Sequence, residues 1–133
     1  MGQPSFETLE VYRLADALAG DVWNLVMRWP LFARDTIGKQ LVRAADSIGA
    51  NLAEGYGRGS YADNKRFTHI ARGSLNETLC WLKRGLERKL IAPEDSDRLK
   101  RITDELGPRL NGYLNYINRQ LAAQATRGER PKA

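Results

Sequence analysis

The run Ile37-Gly38-Lys39-Gln40-Leu41-Val42-Arg43-Ala44-Ala45-Asp46-Ser47-Ile48-Gly49-Ala50-Asn51-Leu52-Ala53-Glu54-Gly55-Tyr56-Gly57-Arg58-Gly59-Ser60 decides the fold. Ile37, Leu41, Ala44, Ala45, Ile48 and Leu52 recur at steps of three and four, the period of one helix face and not of a strand. The spacing predicts a helix capped near Asp35 or Thr36 and running to Glu54. Small residues crowd its surface: Gly38, Ala44, Ala45, Ser47, Gly49, Ala50 and Ala53. An interior glycine costs a helix roughly 0.8–1 kcal/mol relative to alanine. Close approach of a neighbouring backbone is the expected compensation. The glycine-rich run that follows predicts a turn. Gly55 is expected in the left-handed position that ends a helix, with Ser60 and Asp63 opening the next.

Outward from this run the same period continues. Val11, Leu14, Ala15, Leu18, Val22, Leu25, Val26 and Trp29 predict a first helix over about 9–28, closed by Trp29-Pro30. A third helix over about 61–89 is expected to turn Phe67, Ile70, Ala71, Leu75, Thr78, Leu79, Leu82 and Leu86 inward, with Leu90 beside them. A fourth opens at Ala92-Pro93-Glu94-Asp95, a proline and two acids suited to a first turn. It carries Leu99, Ile102, Leu106, Leu110, Tyr113, Ile117 and Leu121, and Pro108 predicts a bend near Gly107. At 133 residues the chain holds one core. Short connections between four helices predict an all-α, antiparallel up-down-up-down four-helix bundle over residues 1–123. Residues 124–133 are polar and breaker-rich, and are expected to form a disordered basic tail.

Composition removes most reaction chemistry. One Cys and one His exclude an intramolecular disulfide, a Cys/His zinc cage and a Cys–Cys redox pair. Cys80 lies eleven residues after His69, on the order of 16 Å along one helix, too far for a nucleophile–base pair. No carboxylate cluster has metal-loop spacing. Gly55-Tyr56-Gly57-Arg58-Gly59 lacks both the lysine and the preceding strand of a phosphate loop, and reads as a turn. No catalytic residue, metal or cofactor is assigned, and the chain reads as a non-enzyme. No apolar run spans a membrane, and the start shows no basic-then-apolar signal, so a cytoplasmic protein without a membrane partner is expected.

Charge is more informative. Net charge is +5, and residues 61–90 alone carry seven cations against three acids. The candidate nucleic-acid-binding residues are Arg58, Lys65, Arg66, Arg72, Lys83, Arg84, Arg88 and Lys89. Lys65, Arg72 and the more distant Lys83 are not expected to form one perfect stripe, so the expectation is a loose basic surface whose phosphate contacts make binding salt-dependent. Trp23, Trp29, Tyr56, Tyr61, Trp81, Tyr113 and Tyr116 are more aromatics than one thin bundle easily buries, and Trp81, off the Leu75/Leu79/Leu82/Leu86 stripe, is the candidate oligomer contact.

Phe6-Glu7-Thr8-Leu9-Glu10-Val11-Tyr12, the run from Gln40 to Arg58, and Phe67-Thr68-His69-Ile70-Ala71-Arg72-Gly73-Ser74-Leu75-Asn76-Glu77 together resemble the four-helix-bundle family of 23S-rRNA intervening-sequence proteins. The resemblance covers nearly all the chain except the tail, and Gly49 stands where the family more often has proline. It implies ring-shaped homopentamers without an established activity. A related branch, the accessory variability proteins of retroelements, binds nucleic acid and a reverse transcriptase. Asn51, Glu54, Gly55, Gly57 and Arg58 are matched motif positions with an expected structural role: Glu54 pairs with Arg58, and Asn51 bonds backbone at a helix–helix contact. Two functional readings follow. One is a non-enzymatic homo-oligomer, pentameric by resemblance, with an RNA- or DNA-binding surface. The other is a protein-interaction scaffold or accessory subunit, for example of a reverse transcriptase.

Overall fold

The computed structural model describes residues 6–128. A 3₁₀ turn, Phe6–Thr8, leads into α1 (Glu10–Met27). A single turn α2 (Leu31–Ala33), a π-helical segment (Arg34–Gly38) and α3 (Lys39–Gly57) follow one another without a break, and α4 (Tyr61–Glu87) and α5 (Pro93–Thr126) complete the chain. No strand occurs among the described residues.

Side-chain contacts fix the topology. Gly38 lies against Val26 and Gly49 against Tyr12 and Ala15, so α3 runs antiparallel to α1. Gly55 meets Asn64 and Phe67 while Ser47 meets Ser74, which sets α4 antiparallel to α3. Asn64 reaches Tyr113 and Leu75 approaches Gly107, so α5 reverses again. Arg28–Asp95 and Arg109–Glu10 close the circuit between α5 and α1. The result is the up-down-up-down four-helix bundle, with helix order α1–α3–α4–α5 around the core.

The core follows the apolar period closely in α1 and α3. Val11, Ala15, Leu18, Val22, Leu25, Val26 and Trp29 are buried, as are Ile37, Leu41, Ala44, Ala45, Ile48 and Leu52. Fully burying a leucine or isoleucine contributes about 1.5–3 kcal/mol, so this shared seam dominates the fold. The compensation expected for the helix glycines is present. A Cβ at Gly38 would lie 2.7 Å from Val26 Cγ1, and one at Gly55 would lie 2.8 Å from both Asn64 Oδ1 and Phe67 Cβ.

Several sequence expectations are corrected. Helical geometry begins at Leu31, after an extended Pro30, and not at Asp35 or Thr36. The Thr36 hydroxyl instead donates to the Phe32 carbonyl at 2.7 Å, inside the π segment. Gly55 is helical and buried, and the left-handed position falls to Gly59 at φ +80°. Pro108 lies inside α5, as expected, within one continuous element. α4 ends at Glu87, and Lys89 has φ +60°. Residues 124–126 belong to α5, while residues 129–133 of the expected tail lie outside the described residues.

The inner face of α4 differs most. Ile70, Leu79 and Leu86 are exposed, whereas Asn64, Thr68, Ser74 and Thr78 are buried beside Ala71, Leu75 and Leu82. These four polar side chains are satisfied, which avoids a desolvation penalty. Thr78 donates to the Ser74 carbonyl at 2.7 Å, Thr68 to Asn64 Oδ1 at 3.3 Å, and Asn64 Nδ2 to the Tyr113 hydroxyl at 3.0 Å. Short polar side chains let α4 approach α3 closely, and the long apolar ones are displaced to its edges.

Candidate nucleic-acid interface

α4 is one unbroken helix from Tyr61 to Glu87, and this decides how its cations are arrayed. Lys65, Arg72 and Lys83 are separated by seven and eleven residues. At about 100° per residue these steps bring all three within roughly 20° of one another. They therefore form a narrow stripe along the α5 side of α4, not the loose surface expected. Among the described residues no carboxylate pairs with any of them. Arg72 is steered by neutral partners: it donates to Asn111 Oδ1 on α5 at 3.3 Å and meets His69 Nδ1 at 3.3 Å.

The other candidates divide differently. Arg58 pairs with Glu54 at 3.0 Å, Arg66 with Asp63 at 3.3 Å and Arg84 with Glu87 at 3.4 Å. Arg58 and Arg66 also lie over the half-buried Phe67 ring, 5.0 and 4.6 Å from its centroid. These two guanidinium groups are engaged with both acid and aromatic partners on the α3 side. Arg88 and Lys89 sit past the end of α4 with no carboxylate partner among the described residues.

Of the motif positions, Asn51, Glu54, Gly55 and Arg58 make contacts at this end of α3, and Gly57 does not. Asn51 Nδ2 donates to the Ser47 carbonyl at 2.8 Å and to Ser47 Oγ at 2.9 Å. Ser47 Oγ in turn accepts from Ser74 Oγ at 3.0 Å, so Asn51 supports the α3–α4 contact through Ser47. Gly57 has open space around it. Ser60 caps α4 by accepting from the Asp63 amide at 3.1 Å.

Trp81 is not the exposed aromatic that its off-stripe position suggests. It is half-buried against the core, and its indole N–H donates to Glu77 at 3.3 Å. The exposed apolar surface lies instead where α1 passes into α2: Phe32 is 81% exposed, Leu31 62%, Trp23 54% and Met27 50%. Sequence reasoning placed Trp23 among aromatics in need of a partner but gave Leu31 and Phe32 no role.

Two others of those aromatics meet at the far end, a pairing that was not expected. Tyr61 and Tyr116 meet edge-on with ring centroids 6.3 Å apart, and Tyr116 is exposed. The Tyr116 hydrogen bond and then burial raise the Tyr61 phenol above its ordinary pKa, while the charge of Arg127 opposes the rise. The available signal was positional: an aromatic opening one helix, and another toward the end of its antiparallel neighbour.

Two shallow grooves flank the bundle. One of about 210 Å³ is lined by Leu79, Leu82, Lys83, Leu86, Ile91 and Leu99. The other, of about 280 Å³, lies between α1 and α3 and carries Tyr12, Asp16, Asp46 and Gly49; burial raises the Asp46 carboxyl above its ordinary pKa. Neither is lined by His69 or Cys80, and no group of three potential metal ligands occurs among the described residues.

The fold defines a four-helix-bundle protein with a cationic edge. Residues 7–112 match the family of 23S rRNA-intervening sequence proteins, and the chain belongs to that family. It is similar to a crystal structure of a protein of unknown function from the S23 ribosomal protein family of Bacteroides thetaiotaomicron. The two share 26% identity and a TM-score of 0.69, covering 78% of this chain and 97% of that one. No curated protein matches the chain. Among the described residues no helix is long and apolar enough to cross a membrane.

Proposed function

We propose that this chain is a non-enzymatic helical assembly protein of the cytoplasm that self-associates and contacts nucleic-acid phosphates. The carrying observation is the stripe of Lys65, Arg72 and Lys83, aligned on one helix edge and without carboxylate partners among the described residues. An edge of this kind attracts a polyanion, and releasing the polyanion's counterions makes the affinity fall with salt. Self-association is supported by Trp23, Met27, Leu31 and Phe32, a cluster a monomer has no reason to expose. The family resemblance supports a pentameric ring.

Two measurements test this reading. Light scattering at micromolar concentration is expected to give a mass of several chains, and a single-chain mass overturns the assembly. A labelled RNA is expected to bind with an affinity that falls steeply across a salt series. Absent binding at low salt, or a flat response, overturns the nucleic-acid contact.

The exposed α1–α2 cluster favours a second reading: a protein-interaction scaffold or accessory subunit without nucleic-acid contact. A partner that remains bound after nuclease treatment distinguishes it from the first.

A further inference from the structure

We propose that Tyr61 and Tyr116 form a base-stacking platform at the head of the cationic stripe, so that the ligand of this edge is a single strand and not a duplex. The inference rests on the phosphate-binding reading and adds the part of the ligand that the cations do not see.

The tyrosines at this end of the bundle have distinct roles. Tyr113 is half-buried, packs against the core and accepts from Asn64 at 3.0 Å, so it seals the end. Tyr116 is not needed for that. It is 43% exposed, and its edge-on contact with Tyr61 leaves ring surface facing outward. An aromatic face presented to solvent is a surface on which any of the bases can stack.

Position links the pair to the stripe. Tyr61 is the first residue of α4, and Lys65 follows one turn later on the same side, about 6 Å along the axis. Arg72 and Lys83 continue the line, so Lys65 to Lys83 spans on the order of 27 Å. The open aromatic pair thus sits at one end of a line of cations without carboxylate partners among the described residues. A strand passing along this edge has its phosphates met by Lys65, Arg72 and Lys83, with a base at its end free to turn onto the rings.

A duplex cannot use this arrangement. Its bases are already stacked on one another, and turning one out costs a few kcal/mol. A single strand has free bases, and stacking on an aromatic side chain is favourable for each of them.

The test uses the full chain and three fluorescein-labelled probes of about 20 nucleotides: an unstructured single-stranded RNA, an abasic strand of equal length, and a duplex. The wild-type protein is expected to bind the base-bearing strand about tenfold or more tightly than the abasic strand. Equal binding of the two overturns the platform while leaving the phosphate reading intact; no binding of any probe removes that reading as well. In the Tyr61→Ala/Tyr116→Ala double variant, affinity for the base-bearing strand is expected to fall to the abasic level, with abasic binding unchanged. Tyr61→Phe/Tyr116→Phe retains the rings and is expected to bind within about twofold of wild type, because stacking needs the ring and not the hydroxyl. A phenylalanine variant as weak as the alanine variant overturns the proposal. The abasic comparison requires no substitution, so it stands even where the alanine variant does not fold.

Discussion

The two edges of α4 carry similar charges and use them differently. Arg58 and Arg66, toward α3, and Arg84, on the outer face, are bound to Glu54, Asp63 and Glu87, and the α3 interface is closed by Gly55 and the Ser47–Ser74 bond. Toward α5, Lys65, Arg72 and Lys83 are without carboxylate partners among the described residues; Asn111 and Leu79 lie along them and the tyrosine pair lies at their head. Net charge alone does not separate these edges. The positions of three carboxylates do, since a guanidinium paired with an acid has its charge partly compensated and attracts a phosphate less strongly than an unpaired cation.

The contrast is most sharply broken by Gly55→Ala. The new Cβ meets Asn64 Oδ1 and Phe67 Cβ at 2.8 Å, next to the Asn64 backbone, and neither contact is the far end of a flexible chain. The expected loss in chemical denaturation is about 1–3 kcal/mol. Removing the unpaired stripe through Lys65→Gln, Arg72→Gln and Lys83→Gln is expected to weaken RNA binding about tenfold or more and to flatten the logarithmic salt slope for a single strand by up to about 2.1. The matching Arg58→Gln, Arg66→Gln and Arg84→Gln variant is expected to change the slope far less; equal losses erase the distinction between the edges.

Smaller effects sharpen the same contrast on the α3 side. Gly57→Ala, two residues from Gly55, places its methyl in open space. It is expected to stabilise the protein by about 0.5–1 kcal/mol in the same denaturation experiment, the ordinary helix preference for alanine. Glu54→Gln breaks the exposed Arg58 pair, and the expected loss of stability is about 0.3–0.5 kcal/mol. It also frees Arg58, so RNA binding is expected to rise slightly in the salt titration.

Much of the fold was legible because α1 and α3 pack leucine, isoleucine and valine at regular helical steps, so period and burial coincide. α4 was harder. Its inner face is built from Asn64, Thr68, Ser74 and Thr78, whose burial depends on hydrogen-bond partners in α3, in α5 and one turn away. A reading based on hydrophobic period therefore turned Ile70, Leu79 and Leu86 inward, although they lie at the edges. Trp81 shows the converse, because an off-stripe position did not prevent its indole from packing on the core. The cationic residues were all visible, but their division was not: Glu54, Asp63 and Glu87 matter only through which guanidinium each reaches.

By itself the sequence determined an all-α chain of four long helices with a glycine-rich turn before α4, because backbone propensity and apolar period are local properties. The Glu54–Arg58 pair was equally readable, since four residues along a helix bring two side chains together. Only the tertiary structure decided where α4 meets its neighbours, which cations stay unpaired and which aromatics remain open at the bundle end. Those outcomes depend on the separation and rotation of helices far apart in the chain, which packing sets and local period does not.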